Sequence, residues 1–469
     1  MNEAPTLIWL HENFVSARQG GNSRASLTLA ALLEAGWKVE LICTTRSYLG
    51  ASYGDGAAQI EQEGNLRVHR LVASGHTSRP RQYLHFCRSA LRYASSLPTP
   101  DLVFTSSPSL PQVAPALWLS AWNRLPLVLE VRDLWPAFLE QGLLLQSKPL
   151  LAALRGLESL AYRSADQVIS VSPAFTPYLE SMGVASGCLT IAPTGADPSL
   201  LELEQPARSL EKQEMGRRQS LKVLYAGSFN TSYGLEVLEA AIDRSADQGI
   251  QWLLAGAGDR RADIKACASR NPHVDFLGLL PKNELRPILK TVDVGISIHA
   301  PWPLLETTVS GKLFDYLAAG LPVINLAPGQ MAEILQISRG GWQVERDPDH
   351  LLTQIARVAQ ISPSERAAIG LRGQTWLREH MHGAASARRV AAAVDRARRN
   401  PKRHGLIGLT TRAIAASFQI LSNRSRRKLH EFYGDDVRAE TIRNALAGFL
   451  EKPASQPERP LTVPRLLSD

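Results

Sequence analysis

The chain has 469 residues, more than one hydrophobic core usually supports, so two α/β domains plus an appendage are expected. An apolar fraction of 44% and a charged fraction of 20% exclude a largely disordered chain. The net charge of +8 would suggest nucleic acid, but residues 396 to 428 hold ten Lys/Arg and no Asp/Glu, which leaves the remainder near −2. A basic bias confined to one segment argues against a nucleic-acid partner and for a local one such as anionic lipid. The four cysteines, Cys43, Cys87, Cys188 and Cys267, lie far apart, which excludes a zinc knuckle or disulfide framework and suits a reducing compartment. The first residues lack a basic and apolar leader pattern, and no apolar run reaches spanning length. The expected location is the cytoplasm, with peripheral contact at the inner face of the plasma membrane.

Strand-length apolar runs then alternate with amphipathic helical stretches, the pattern of parallel sheet with crossover helices. TLIWLHENF opens the series, the helix SRASLTLAALLEAG follows, and VELICTT is the next strand. After a variable stretch come LRVHRLV, a helix near 82 to 96, DLVFTSS, a helix around 111 to 122, LPLVLEVRD, the helix LLAALRGLESLAYRSA, DQVISVS and LTIAPTG. Residues 206 to 220 are charged and lack strand periodicity, which marks a linker between a first domain, 1 to 205, and a second, 221 to 385. The second series runs LKVLYAGSF, helix, WLLAGAG, helix, VDFLGLL, helix, DVGISIH, the helix SGKLFDYLAAG, LPVINLA and a helix near MAEILQIS. A closing helix at 386 to 400 and a basic, partly apolar extension at 401 to 469 complete the chain. Two doubly wound units joined by a linker place ligands beyond the carboxyl ends of their strands, in the cleft between them.

Seven segments in order resemble glycosyltransferase family 4, retaining enzymes of the two-domain GT-B fold that use nucleotide sugars. They are GGNSRA (20 to 25), TSSPSL (105 to 110), LEVRDLWP (129 to 136), SVSPAFTPYL (170 to 179), APTGAD (192 to 197), AGSFNTSYGLEVLEAA (226 to 241) and SGKLFDYLAAGLPVI (310 to 324). RDLWP and GKLFDYLAAGLPV resemble the subgroup of fucosamine-type transferases of O-antigen and capsule assembly. The resemblance implies transfer from a nucleotide sugar, with UDP as the nucleotide, to a glycan or polyprenyl-linked acceptor with retention of anomeric configuration.

A diphosphate is held economically by backbone N–H groups at glycine turns and helix N-termini, with a cation beside them. Gly20 and Gly21 follow the first strand, and Gly227 and Ser228 follow the strand KVLYA. Family members carry an Arg and a Lys in the loop matching Gly227 to Tyr233, and this sequence has neither. Lys312, beside the amides of Ser310 and Gly311 at a helix start, is the expected substitute. The family's paired glutamates map onto Thr307 and Asp315. The second retains a carboxylate for the ribose hydroxyls, and Glu306, one residue before the first, is a weaker candidate. Arg132 and Asp133 stand where the family has a His-Asp pair, with Trp135 and Pro136 as a sugar-facing wall. His11 and Glu12 end the first strand, where His11 can touch acceptor or donor. Asp347-Pro348-Asp349 spells a metal-binding pattern but precedes a helix, so helix capping is expected and neither metal nor other cofactor. Residues 405 to 421, apolar between basic clusters, suit interfacial burial, and 76 to 93 suits an acceptor entrance. Two other readings stay open: a nucleotide-sugar 2-epimerase of the same fold, and a binding protein that has lost activity.

Overall fold

The computed structural model describes residues 3–15, 23–46, 56–75, 78–203, 220–402, 408, 435–451 and 460–464. Gly20 and Gly21, the linker and most of the 405 to 421 stretch lie outside the described residues.

The first sheet contains β1 (Thr6–Leu10), β2 (Lys38–Thr44), β3 (Gln59–Glu63), β4 (Leu66–Leu71), β5 (Leu102–Ser107), β6 (Leu127–Val131), β7 (Gln167–Ser170) and β8 (Leu189–Ile191), in the order β3-β4-β2-β1-β5-β6-β7-β8. Every pairing is parallel except β3 with β4. β3, with the sequence QIEQE, falls in the stretch that the sequence leaves unassigned: an edge strand with one apolar residue carries no core pattern. All residues of β5 and β6 are buried, because helices cover both faces of the sheet.

The second sheet contains β9 (Leu221–Ala226), β10 (Ile250–Ala255), β11 (Val274–Gly278), β12 (Val294–Ser297), β13 (Val323–Asn325) and β14 (Gly341–Gln343), in the order β11-β10-β9-β12-β13-β14 and parallel throughout. In both sheets the strand order reverses beside the first strand of the unit, between β1 and β5 and between β9 and β12, which is where an open α/β sheet leaves a crevice. The architecture is two Rossmann-like α/β domains.

The chain crosses twice between the two cores. Ala196, Leu200 and Leu201 pack into the second core, so the first core gives way shortly after Ala192. The helix Gly383–Arg399 returns to the first domain, burying Ala387, Val390, Ala391 and Val394 against Leu29, Leu32 and Trp37, while the Trp37 indole donates to Asp395 at 2.9 Å. The extension is not a free tail throughout. The helix Asp435–Leu450 buries Leu446 and Phe449 in the second core and packs on residues 173 to 175 of the first domain, and Leu461 and Val463 cover the first core.

Direct ties close the junction. Leu304 sits in the first core, its N–H donating to the Gln141 side chain at 2.8 Å. The Trp302 ring meets Phe138 edge-on at 5.6 Å. Ser172 Oγ lies 2.6 Å from the Thr307 carbonyl and 2.7 Å from the Gln330 amide. The segment 133 to 141 of one domain therefore rests against 302 to 307 of the other.

Candidate active site

On the second-domain side the glycine turn and the Lys312 helix form one unit. Gly227 follows β9, and a Cβ placed on it would lie 2.6 Å from Lys312 Cε. The absent side chain is the space that the lysine occupies. Tyr316, one turn along the helix Gly311–Ala318, receives the Ala226 N–H on its hydroxyl at 2.6 Å, so helix and turn are also hydrogen-bonded. Ser310 is the N-cap, leaving the first amides of that helix beside Lys312. The lysine is 6% exposed, and its Nζ has no hydrogen-bond partner among the described residues. Its only described cushion is aromatic: Nζ lies 3.5 Å from the Tyr233 ring centroid and 5.3 Å from that of Tyr225. Burial without an anion pushes the amine well below the ordinary lysine range.

Asp315 lies on the same helix, 3.7 Å from Lys282 Nζ, which also binds Asp197 at 2.9 Å. Asp197 is the N-cap of the helix Pro198–Leu201. Despite its burial, Lys282 and the Ser199 hydroxyl and amide hold it down to about 2. Asp315 moves the other way, raised by burial against the pull of Lys282. Lys282 ties the two carboxylates together and was not singled out from the sequence, where only its place at a helix start after β11 marks it.

Two residues fall differently from the family pattern. Thr307 is fully buried, its hydroxyl donating to the Leu304 carbonyl at 2.7 Å and its own carbonyl tied to Ser172, so this position is part of the domain junction. Glu306 rests with its backbone and Cβ against Gly329, at the entry to the helix Gln330–Ser338.

On the first-domain side a charged cluster caps β1 and β6. Arg132 Nη1 donates toward His11 Nε2 at 3.4 Å, and burial, then the Arg132 charge, push His11 down to about 4. The imidazole is therefore neutral at physiological pH, with Nδ1 buried and without a partner among the described residues. Glu130, inside β6, accepts from Arg24 Nε at 2.9 Å and from Ser106 Oγ at 3.0 Å. Although burial opposes its charge, Arg24 and Arg132 hold it ionised below the ordinary range. Asp133 is partly buried, and desolvation, only partly offset by Arg132, raises it to about 6. Glu12 receives Ser109 Oγ at 2.6 Å, with burial raising its pKa. Trp135 is met edge-on by Tyr83 at 6.2 Å. Arg24 and Glu130 escaped notice in the sequence, although a glutamate inside the apolar run LVLEV is a signal of a buried ion pair.

The Asp347-Pro348-Asp349 sequence is a helix start. Asp347 accepts from the amides of Asp349 and His350, and Asp349 pairs with Arg244 at 2.8 Å.

Residues 19–195 match the family model described as a glycosyl transferase 4-like domain, and residues 220–360 match that for glycosyl transferases group 1. These two adjoining matches, on two facing Rossmann-like domains, identify a glycosyltransferase of GT-B type. Among curated proteins the chain is 22% identical over 219 residues to WcaL of Escherichia coli, whose name assigns it to colanic acid biosynthesis as a glycosyltransferase. That match takes in 44% of this chain and 51% of the relative, so the chain spans about half the length of the curated relative. Solved structures share the fold. Sucrose-phosphate synthase of Thermosynechococcus elongatus superposes with a TM-score of 0.61 at 18% identity, covering 82% of this chain and 96% of its own. Anabaena HepE in complex with UDP-glucose gives 0.57 at 16%, covering 83% and 99%. WaaG, a glycosyltransferase involved in lipopolysaccharide biosynthesis, gives 0.57 at 15%, with the same coverage of 83% and 99%.

Proposed function

We propose that the protein moves a sugar from a nucleotide-sugar donor to a glycan or lipid-linked acceptor in surface polysaccharide biosynthesis. The observation that carries this reading is Lys312: a buried amine with no anionic partner among the described residues, packed on a glycine turn and set in the first turn of a helix. A diphosphate supplies the missing counter-charge, and the amides of Ser228 and Gly311 are at hand for its oxygens, the Gly227 N–H being held by the Ala255 carbonyl at 2.9 Å. UDP is favoured because HepE, of the same fold, is known with UDP-glucose. Surface polysaccharide is favoured by the names of WcaL and WaaG.

The roles follow from position. Lys312 and the helix dipole neutralise charge that grows on the leaving diphosphate as the glycosidic bond breaks. Asp315, oriented by Lys282, accepts from the ribose hydroxyls. Arg132, braced between His11 and Glu130, and Asp133, its carboxyl raised by burial, face the transferred sugar and the acceptor hydroxyl. Retention of configuration fits front-face attack, in which a departing phosphate oxygen takes the acceptor proton. No metal is assigned to this chemistry, since Asp347 serves as a helix cap. Activity should therefore survive a chelator, and loss restored by magnesium or manganese would overturn that point.

The deciding experiment is Lys312→Ala and Lys312→Met, assayed for donor turnover. The expected loss in kcat is about 10²-fold to 10³-fold. Near wild-type turnover at saturating donor would remove Lys312 from the mechanism.

A further inference from the structure

Three helices lie side by side on one face of the first sheet: Arg79–Ala94, Val113–Asn123 and Lys148–Ser164. Their inner faces give Phe86, Ala90, Val113, Leu117, Ala161 and Tyr162 to the core. Their outer faces share two properties.

The first property is charge of one sign. The three helices contain a single carboxylate, Glu158, which is fully buried. Arg81, Arg88 and Arg92 recur on the exposed face of the first helix, and exposed Arg124 ends the second. None of these four has a carboxylate within ion-pair distance among the described residues. The neighbouring cation Arg155 is different, since it pairs with Glu140 of the short helix Ala137–Gln141.

The second property is exposed aromatic surface. Trp118 and Trp122, one turn apart, are 45% and 62% exposed and stack with ring centroids 5.7 Å apart. Leu84, on the arginine-bearing face, is 50% exposed, and Leu150, at the start of the third helix, is 41% exposed. Two indoles stacked in water beside unpaired guanidinium groups suit a boundary that is apolar on one side and phosphate-rich on the other. A protein partner would need an acidic rim around an apolar centre. A bilayer with anionic headgroups offers both over any area.

We propose that this face docks the first domain on an anionic lipid bilayer, with Trp118 and Trp122 seated in the interfacial layer and Arg81, Arg88, Arg92 and Arg124 against lipid phosphates. The basic helix leads from this face to the site. Its first turns reach the cleft, where Tyr83 touches Trp135, so a lipid-linked acceptor held at the surface is presented beside Asp133. The docking surface stands apart from donor chemistry and does not depend on it.

The test uses the full chain and phosphatidylcholine vesicles with or without phosphatidylglycerol. Wild-type protein should float with the anionic vesicles. Trp118→Ser/Trp122→Ser and Arg88→Glu/Arg92→Glu should each bind about tenfold more weakly. A Trp118→Phe/Trp122→Phe variant should lose the quenching of tryptophan fluorescence by brominated lipid that wild type shows. Because all variants keep the basic segment 396 to 428, binding equal to wild type would assign membrane contact elsewhere and overturn the proposal. Concentration-dependent self-association abolished by the tryptophan changes, without vesicle binding, would overturn it too, making the face an interface between copies. Donor hydrolysis without acceptor should be unchanged in these variants, so failure here and failure of the transferase reading are separable.

Discussion

A lysine ammonium sealed from water with only aromatic rings beside it is held at a cost that an arriving anion relieves. For Lys312 the sign is definite. Its pKa in the folded protein is depressed by burial, so over the interval between that value and the ordinary one near 10.5 the folded chain lacks a proton that the unfolded chain carries. Binding of a nucleoside diphosphate should restore the charge, and calorimetry in buffers of differing ionisation enthalpy should register net proton uptake that vanishes in Lys312→Met. Proton-neutral binding in the wild type would show that the amine is not where the diphosphate sits. His11 is a second case. Held near 4 by burial and by Arg132, it should show no titration by NMR between pH 6 and pH 8. Lys312 was legible in the sequence because a cation directly after Ser310 and Gly311 at a helix start is a short-range pattern, while its packing on Gly227 was not. Arg24, Glu130 and Lys282 were not, since each acts across 85 or more residues of chain or through a partner invisible to local periodicity.

At the scale of elements, two glycines near one another should respond differently to the same change. In Gly227→Ala the new methyl meets the flexible end of Lys312, so the fold should tolerate it while kcat falls by up to about 10²-fold as the amine is displaced. In Gly256→Ala the methyl would lie 1.8 Å from the Gly227 carbonyl oxygen, at a residue with φ of +153°, and rigid backbone must move. A stability loss of roughly 3 kcal/mol is expected, measurable by urea unfolding. The helix Lys148–Ser164 carries a pH-dependent weakness of its own. Glu158 is fully buried, hydrogen-bonded by the Tyr178 hydroxyl at 3.1 Å, and pushed up to about 8 by burial. A folded value above the unfolded one means that this contribution is complete below about pH 4.5 and lost as pH rises through 8. Glu158→Gln should come close to wild type near pH 5 and exceed it by roughly 4 kcal/mol near pH 9. A constant difference at both would assign the effect to packing instead.

For the whole molecule, strand and helix alternation made the two-domain architecture readable, because fully covered parallel strands are apolar runs whose type does not depend on partners. The three-residue strand β14 and the polar edge strand β3 are set by what they pair with and were missed, whereas the equally short β8 and β13 were read from their apolar runs. The same limit applies to the terminal helix, whose Leu446 and Phe449 find their places in a core built some hundred residues earlier. Ending the chain at residue 434 should expose that core and lower the melting temperature in calorimetry. An unchanged transition would mean that the helix is carried passively. Such a truncation is therefore a poor control for lipid binding, since it alters the junction between domains as well as the tail.

The return of Gly383–Arg399 to the first domain also bears on how the protein is made. A ribosome that has released the opening two hundred residues has supplied every strand of the first sheet, yet the face that carries Leu29, Leu32 and Trp37 stays bare until residues 383–399 have followed the whole second sheet. The half synthesised first is thus completed last, and an isolated N-terminal fragment should need a chaperone to remain in solution.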